Sequence, residues 1–528
     1  MQKKYQNRIL SAITILIFSC LYSCTKQLDQ SPPNSITNTK LYSTMAGYKQ
    51  SCITLYGTLS TLVNQGGNYP FLRLYWNLQE LPTDEAISTW NDPVGIQNYH
   101  LFSWTSTNAA VTALYNGVMY NITLCNNFIM ESTNAKISAR GYTNGDADSI
   151  RQYAAEARFI RAYYYWIMMD VFGNPPFATD STLQAGAVPK QIQRKDLFNY
   201  IESELKSIEP VLKTPGTNEY GRADQAADWS LLARMYLNAE VYTDAPRYTD
   251  AITYCNKITN AGTYSLINHY NWLMLADNYL NRNEFIFTIN FDNGKDVTYG
   301  GTNYLVLGPA GVPSSVNGIT QTWDFLRFTQ SVTTLFPTTD TMVDKRGEFW
   351  TQGQQPNADV IGDPRSGYSS YKFRNLLRDG TPSPQRSGTD NSLSDVDFPI
   401  FRLPEIYLIY AESVLRGGSG GDATRALSYI NQLRGRAYAN DPSSTSGNIA
   451  ANDMTLNFIL DERARELYWE CHRRTDLIRY KELTTGSYLW AWKGGVLAGA
   501  AVADMYNVFP LPAADILANP NLKQNAGY

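Results

Sequence analysis

The sequence has few of the residues from which metal centres and catalytic triads are built. Its histidines are His100, His269 and His472. Beyond residue 24 its cysteines are Cys52, Cys125, Cys255 and Cys471. These cysteines are far apart and form no C-x-x-C pair, so they predict no zinc site, and no disulfide pairing is evident although export would permit one. No G-x-S-x-G, H-E-x-x-H or glycine-rich phosphate loop accompanies the histidines.

The sequence also lacks a basic excess and, after residue 24, any long apolar run. Its 44 lysines and arginines are outnumbered by 48 acidic residues, which gives a net charge of −4. Residues 1–23 carry three basic and no acidic residues, so removing them would make the net charge about −7. This sign of charge and the absence of a basic stripe argue against nucleic-acid binding. We therefore expect no nucleic-acid partner and no transmembrane helix.

The start of the chain predicts export and lipidation. A basic segment precedes the apolar run Ile9–Phe18, which is too short for a permanent membrane-spanning helix and is typical of a signal peptide. Cys24 directly follows the expected cleavage site, so residues 1–23 are predicted to be a lipoprotein signal and residues 24–40 a lipidated tether. An ordinary secretory signal with an incidental cysteine is the alternative, and Cys20 is a weaker lipidation candidate.

Aromatic residues are the most distinctive part of what the sequence does contain. There are 37 tyrosines, 20 phenylalanines and 11 tryptophans. A tyrosine ring is flat and apolar while its hydroxyl tolerates water, so this content favours half-exposed surfaces that stack on ligands. Seams between helices are the alternative location for many of these tyrosines.

Helical periodicity recurs along the chain and predicts a mainly α fold. Segment 196–212 carries an apolar stripe of Leu197, Ile201, Leu205, Ile208 and Leu212. The other predicted helices are 148–172, 224–242, 248–259, 404–416, 422–436 and 453–483. For the helix over 148–172 we predict an N-cap at Asp146 or Asp148 and an end at Gly173. The run Leu232-Ala233-x-x-Tyr236, followed by Ala245, partly matches the tetratricopeptide pattern. Because the helical pairs are scattered and not tandem, we predict a tetratricopeptide-like helical-repeat scaffold with long loop-rich insertions.

Three loop-rich segments interrupt the predicted helices. Residues 60–108 and 337–397 show little periodicity, whereas 285–335 begins with the alternating run Phe285–Ile289, which predicts a strand. Long loops often carry function, so we expect a binding site in 60–108 and 285–335. A calcium site near Asp277-Asn278 is conceivable, but the residues that follow supply no acidic ligands, and no cofactor is predicted.

Motifs in a fixed order along the chain carry a family resemblance. They are Ala157–Tyr165, Phe172–Pro176, Gly221–Ala223, Phe401–Glu405, Asp461–Leu467, His472–Arg474, Phe509–Pro512 and Gln524–Tyr528. Together they resemble the SusD/RagB family of outer-membrane lipoproteins. The resemblance implies a SusD-like α/α superhelix with an N-terminal region 41–260 and a C-terminal region 261–528. It also implies a non-catalytic protein of the cell exterior, which captures a glycan and passes it to a TonB-dependent transporter of the SusC type.

Shorter segments resemble the starch-binding members of that family. These are Glu80–Glu85, Tyr299–Val306 and Tyr488–Gly495. By position, the resemblance implies a site for starch or a related α-glucan, with stacking residues Trp90, Tyr299 and Trp323 and hydrogen-bonding residues Arg73 and Asn91. A flat ring stacks on the apolar face of a sugar while polar side chains bind its hydroxyl edge. Ser88 stands where the starch-binding prototype has a second tryptophan, which leaves the fine specificity open.

Charged residues of the motifs have two interpretations, catalytic or structural. The residues in question are Arg158, Arg161, Glu462, Arg463, Arg465 and Glu466. We interpret them as ion pairs that fix the scaffold, and His472–Arg474 as packing and salt bridges at a helix end where cations suit the dipole. Asp84 and Glu85 are adjacent, so their side chains normally point apart and do not face each other across a sugar as glycosidase carboxylates do. Peptide capture by the same fold remains the alternative to glycan binding.

Overall fold

The computed structural model describes most of the chain. The described residues are 38–61, 69–91, 94–182, 188–295, 298–339, 343–386 and 393–528. Cys24, the predicted signal and nearly all of the predicted tether lie outside them. Packing divides the chain into two compact units, Met1–Gln50 and Ser51–Tyr528. The regions 41–260 and 261–528 stay a prediction from the sequence.

The protein is mainly α-helical, with about 48% of the structure in helices, which confirms the predicted fold class. The α-helices are α1 (Asn38–Leu41), α2 (Met45–Ser60), α3 (Phe71–Glu80), α4 (Gln97–Leu101), α5 (Ala109–Glu131), α6 (Asn134–Ala139), α7 (Asn144–Phe172), α8 (Arg194–Ile208), α9 (Gln225–Leu237), α10 (Ala239–Thr243), α11 (Tyr248–Asn260), α12 (Asn303–Leu307), α13 (Ser314–Asn317), α14 (Gln330–Thr333), α15 (Leu403–Leu415), α16 (Ala423–Ala439), α17 (Leu456–Leu467), α18 (Arg473–Arg479) and α19 (Ala513–Ala518). Short 3₁₀ helices are Tyr270–Trp272, Asn278–Asn281, Ala451–Asp453, Lys493–Gly495 and Asp504–Asn507. Within the described ranges, no helix combines the length and apolar character that crossing a bilayer requires.

The strands are short and form antiparallel pairs. The pairs are β1 (Ile87–Ser88) with β5 (Leu326–Arg327), β2 (Pro176–Phe177) with β3 (Lys190–Gln191), β4 (Phe285–Ile289) with β8 (Phe398–Arg402), and β6 (Phe349–Trp350) with β7 (Ser369–Ser370). The strand predicted over Phe285–Ile289 is β4. Because both of its faces are buried, its alternating sequence does not mark a solvent-exposed face.

Helices that are distant in the sequence stack to form the scaffold. Helix α9 packs on α11, α11 packs on α15, and α15 packs on α16. The long segment between α11 and α15 therefore leaves the stack and returns to it, as expected for a helical scaffold with insertions. Helix α8 buries Leu197, Ile201, Leu205 and Ile208 against its neighbours, while Leu212 is buried beyond the end of the helix.

Helix α7 begins earlier than the sequence predicts. It starts at Asn144, with Thr143 rather than Asp146 or Asp148 at the N-cap. Asp146 instead lies in the first turn, where a negative charge suits the helix dipole. The end is as predicted, since Gly173 follows the helix with a φ of 70°, a value that glycine adopts readily.

The helix predicted over 453–483 is interrupted and forms α17 and α18. In the turn between them Trp469 and Cys471 have φ values of 64° and 66°, which reverse the chain. Buried carboxylates from another part of the sequence stabilise this turn. Glu85 accepts the N–H of Trp469 at 3.1 Å, and Glu80 accepts the N–H of Cys471 at 2.5 Å.

Segment His472–Arg474 lies at the beginning of α18, so its predicted stabilisation by the helix dipole is wrong. The predicted salt bridges are present, and carboxylates compensate the two arginine charges. Arg473 pairs with Asp84 at 2.7 Å, and Arg474 lies 3.5 Å from Asp170. Sequence spacing could not indicate these partners, because they come from other helices and loops.

The charged residues of the family motifs form structural ion pairs, as predicted. The pairs are Arg158–Glu204, Arg161–Glu204, Arg465–Glu462, Arg346–Glu462, Arg463–Asp476 and Arg402–Glu466. Most of these side chains are buried. Buried pairs of this kind join helices and leave little charge exposed.

Segment 60–108 is more regular than its composition indicates, because it contains α3. All ten residues of this helix are buried, including Arg73, Asn77, Gln79 and Glu80. A helix that is buried on every side shows no exposed face and therefore no clear period. Its polar side chains find distant partners: Gln79, for example, donates to Asp170 at 2.8 Å.

The four described cysteines are buried and unpaired. They are Cys52, Cys125, Cys255 and Cys471. The first three lie in α2, α5 and α11, and the last lies in the turn between α17 and α18. Burial raises the pKa of each thiol.

Candidate functional site

A two-residue strand pair brings two of the predicted tryptophans together. Strands β1 and β5 run antiparallel, and the pairing continues where the N–H of Thr89 donates to the carbonyl of Phe325 at 2.9 Å. In an antiparallel pair the end of one strand lies beside the start of the other. Trp90, just after β1, and Trp323, just before β5, therefore lie side by side although they are distant in the sequence.

Trp90, Tyr299 and Trp323 form a continuous surface, which we name the aromatic arc. The ring centroids of Trp90 and Trp323 are 5.9 Å apart, and those of Tyr299 and Trp323 are 6.2 Å apart. Successive rings are tilted by 33° and 48°, so the surface is curved. All three residues are half-buried. The buried ring of Phe325 stacks beneath Trp90 with centroids 3.8 Å apart and holds it in place.

Two glycines allow Tyr299 to approach the rest of the arc. A side chain at Gly300 would place its Cβ 1.9 Å from Cδ of Pro70, and one at Gly301 would place it 2.1 Å from the ring of Phe291. Both distances are far below van der Waals contact. The Tyr299-Gly300-Gly301 segment thus packs with its backbone against α3 and the loop after β4, as only glycine permits.

Arg73 of α3 lies behind the arc and is itself 6% exposed. Its guanidinium carbon is 5.7 Å from the ring centroid of Trp90, 4.7 Å from that of Tyr304 and 5.1 Å from that of Tyr69. The hydroxyl of Tyr304 donates to Oδ1 of Asn77 at 2.8 Å, which fixes that ring on α3. Stacking among three rings holds the guanidinium plane, with its hydrogen-bond donors, beside Trp90.

The segment that leads from α3 into β1 is held by a buried ion pair. Arg473 donates two hydrogen bonds to Asp84, both at 2.7 Å, and the hydroxyl of Tyr488 donates a third at 2.6 Å. Burial opposes the charged form of Asp84, but Arg473 outweighs it and lowers the pKa of that carboxyl. The pair therefore works as a structural anchor for the strand that carries Trp90.

Glu80 and Glu85 flank the same segment, and both are buried. Burial raises the pKa of Glu80 well above its ordinary value, and the neighbouring Glu85 raises it further. Burial also raises the pKa of Glu85 to about 7, although Arg473 opposes the shift. Both carboxylates accept backbone N–H groups of the turn after α17, so they belong to the scaffold and do not face the arc's ligand side.

Arg327 anchors the loop beside β5. Its buried guanidinium donates to the carbonyls of Val360 at 3.3 Å, Ile361 at 2.8 Å and Ser366 at 2.5 Å, and also to that of Asp363. Burial lowers the pKa of this side chain to about 10, although Asp363 opposes the shift. One side chain thus satisfies four backbone acceptors of the loop that lies next to the strand leading from Trp323.

The structure brings four of the five predicted glycan-binding residues into one cluster, namely Trp90, Tyr299, Trp323 and Arg73. Asn91 follows Trp90 and is exposed. Sequence reasoning missed the rings that support them, Phe325 and Tyr304. Tyr304 lies within the quoted motif Tyr299–Val306, which could have indicated it, whereas no periodic signal marks Phe325.

Asp277 and Asn278, where a calcium site is conceivable from the sequence, make hydrogen bonds to other parts of the protein. The amide of Asn278 donates to the carbonyls of Leu273 and Asp397, at 2.9 and 2.8 Å. Asp277 accepts the N–H of Arg378 at 3.1 Å. Over the residues that the structure describes, no three His, Cys, Asp or Glu side chains are grouped to hold a metal ion.

Comparison with protein families gives two matches that together cover most of the chain. Residues 341–528 match the family described as "SusD family", and residues 28–237 match the family described as "Starch-binding associating with outer membrane". The chain is 33% identical to the starch-binding protein SusD of Bacteroides thetaiotaomicron, over 100% of both chains. It is 27% identical to the SusD-like protein P25 of Formosa agariphila, over 90% of both.

Solved structures share the fold at lower identity. The surface glycan-binding protein A of Bacteroides fluxus is 22% identical, with a TM-score of 0.70 over 92% of this chain and 100% of that one. The surface glycan-binding protein A of Bacteroides thetaiotaomicron, solved in complex with laminarihexaose, is 19% identical, with a TM-score of 0.70 over 91% and 99%. At these identities the likeness establishes the helical scaffold.

Proposed function

This chain belongs to the SusD family, and from that premise we propose that it is a cell-surface lipoprotein that captures starch or a related α-glucan on the aromatic arc. Within this family it is a non-catalytic protein, as the sequence predicts. The observation that carries the proposal is the contiguity of Trp90, Trp323 and Tyr299, with Arg73 beside them.

The shape and chemistry of the arc suit a curved sugar chain. Each half-buried ring offers a flat apolar face to the C–H face of a sugar, and the guanidinium of Arg73 and the amide of Asn91 offer donors for hydroxyl groups. The tilt between successive rings matches a ligand that curves, as an α-glucan helix does. Hydrogen bonds to hydroxyls exchange with water, so affinity per sugar stays modest, which suits capture followed by release.

The choice of starch rests on the resemblance to a named starch-binding relative at 33% identity over both whole chains. Lipidation at Cys24, exposure to the cell exterior and transfer of the sugar to a SusC-type TonB-dependent transporter are parts of the same proposal. A lipid anchor would keep the binding protein close to such a transporter and raise its local concentration there.

Affinity electrophoresis in gels containing soluble starch tests the proposal. The protein should be retarded, and the variant with Trp90→Ala, Tyr299→Ala and Trp323→Ala should migrate as in a starch-free gel. Trp272→Ala is the matched control, because Trp272 is also half-buried but stacks on His269, outside the arc. Equal retardation of the triple variant and the wild type would reject the arc. If only another glycan retards the protein, that glycan and not starch is its ligand. If no glycan retards it and a peptide co-purifies with it, peptide capture is favoured.

A further inference from the structure

A second cleft, separate from the arc, has the chemistry of a saccharide site. It has a volume of about 410 Å³ and lies between α13 and the β6–β7 pair. The residues that the argument uses are Ser315, Trp350, Gln352, Tyr371 and Arg374. We infer that this cleft binds a further unit of the glycan chain whose other units occupy the arc, an inference that rests on the proposed function.

The aromatic part of the cleft is suited to stacking on a sugar. Trp350 ends β6 and is half-buried, while its indole nitrogen is fully buried and has no hydrogen-bond partner among the described residues. The part of the side chain that reaches the cleft is therefore carbon surface. Carbon surface is what packs against the C–H face of a sugar. Tyr371, also half-buried, lies on the same lining.

An arginine in the cleft repeats the arrangement found behind the arc. The guanidinium carbon of Arg374 is 5.3 Å from the ring centroid of Tyr371, as that of Arg73 is 5.7 Å from Trp90. Nη2 of Arg374 donates to Glu348 at 2.7 Å and to the carbonyl of Asn271 at 3.0 Å. Nη1 makes no hydrogen bond to any described residue, so an orientated donor remains for a hydroxyl group of a ligand.

The polar rim completes a site for a neutral polyol. Gln352 and Ser315 are exposed on the lining and can donate to and accept from hydroxyl groups. The carboxylate of Glu348, which pairs with Arg374, is buried and engaged with it. A neutral ligand that both donates and accepts fits this rim better than an anion would.

A series of strand pairings and hydrogen bonds connects the cleft to the arc. Ser88, two residues before Trp90, pairs with Leu326, and Leu326 bridges to Pro309. The carbonyl of Ala310 accepts a hydrogen bond from the Ser369 hydroxyl at 2.7 Å, and Ser369 is the strand partner of Trp350. Strand β5 also meets β7 directly, where the N–H of Phe328 donates to the carbonyl of Tyr368 at 2.8 Å. The strand pairs that carry Trp90 and Trp350 are therefore neighbours, and binding of a glycan chain at one of them raises its effective concentration at the other.

Two ligands of different length test the inference. We expect Trp350→Ala to keep the affinity of the protein for maltotriose, which the arc can hold alone, and to weaken soluble starch binding about tenfold. Ser315→Glu is a second variant, which removes no packed ring and introduces a carboxylate that can occupy Arg374. It should weaken starch binding in the same way. Trp229→Ala, at a half-buried tryptophan that contacts Lys257 elsewhere, is the control.

The outcomes separate this inference from the function on which it rests. If both cleft variants bind starch as the wild type does while the triple arc variant does not, the cleft is no subsite and the arc stands. If the wild type binds neither maltotriose nor starch, the proposed function itself is wrong. Loss of starch affinity in both cleft variants, with maltotriose affinity intact, supports the cleft.

Discussion

Arg473 and Asp84 form a fully buried two-point ion pair, with both nitrogen–oxygen distances at 2.7 Å. The pair joins the segment just before β1 to the start of α18. Because Trp90 lies two residues beyond the end of β1, the position of the arc depends on a residue from the C-terminal part of the chain.

Asp84→Asn should destabilise the fold strongly. The change preserves side-chain shape but leaves the guanidinium of Arg473 buried without its counter-charge. Breaking a buried pair in this way costs about 3–5 kcal/mol of unfolding free energy. Urea unfolding at pH 7 measures the effect. Asp148→Asn, which breaks an exposed pair with Arg151, should change stability by no more than about 0.5 kcal/mol. Similar losses in the two variants would show that the buried pair is not an anchor.

Glu80→Gln should alter how stability depends on pH. A carboxyl whose pKa is raised on folding contributes stability below its ordinary pKa, and this contribution is lost as the pH rises through the folded pKa. For Glu85 the window runs from 4.5 to about 7. We expect the wild type to lose stability between pH 5 and pH 8, and the variant to lose less, because a neutral amide replaces one member of the carboxyl pair. At pH 8 the variant should therefore be more stable than the wild type. Parallel stability curves for the two proteins from pH 5 to pH 8 would contradict this account.

Arg73→Lys should weaken glycan binding with little effect on stability. Lysine keeps the charge but loses the flat guanidinium that stacks among Trp90, Tyr304 and Tyr69 and the paired donors that it presents. We expect a loss of about tenfold in affinity for maltoheptaose by calorimetry. Arg282→Lys is the control, because that arginine stacks on Tyr220 at 4.9 Å, outside the arc. Unchanged affinity in the Arg73 variant would remove Arg73 from the site.

Arg327→Met should release the loop over residues 360–366. The change leaves four backbone carbonyls without their donor, and unsatisfied buried acceptors cost about 1–3 kcal/mol each before relaxation. Limited proteolysis with mass spectrometry should reveal new cleavage within this loop. Arg365→Met, in the same loop but exposed, should leave the cleavage pattern as in the wild type. Identical fragments from both variants would mean that Arg327 does not anchor the loop.

The sequence predicts the elements whose burial is one-sided. Helix α8 is an example, because its apolar stripe alternates with exposed positions at the helical period. Helix α3 is the opposite case: it is buried on all sides, and its polar residues contact partners that are far away in the sequence, so no local pattern marks it. The break between α17 and α18 is hidden for the same reason, since Glu80 and Glu85 stabilise it from far away in the sequence.

The arc residues were found through a family resemblance and not through local patterns. The pairing of β1 with β5 involves two residues on each side, too few for a periodic signal. The supporting ring of Phe325 is one phenylalanine in a loop-rich segment, and its stacking on Trp90 depends on that pairing. Long-range geometry of this kind becomes visible only when the chain is folded.

The reactivity of the four buried thiols can report local opening of the scaffold. A thiolate, not a thiol, reacts with alkylating reagents, and burial both raises the pKa and excludes the reagent. Modification of Cys52, Cys125 or Cys255 therefore requires α2, α5 or α11 to open, and modification of Cys471 requires the turn beside Glu80 to open. Alkylation rates at the four positions can be followed by mass spectrometry. They would show which parts of the scaffold open together, and which open less often when a ligand occupies the arc.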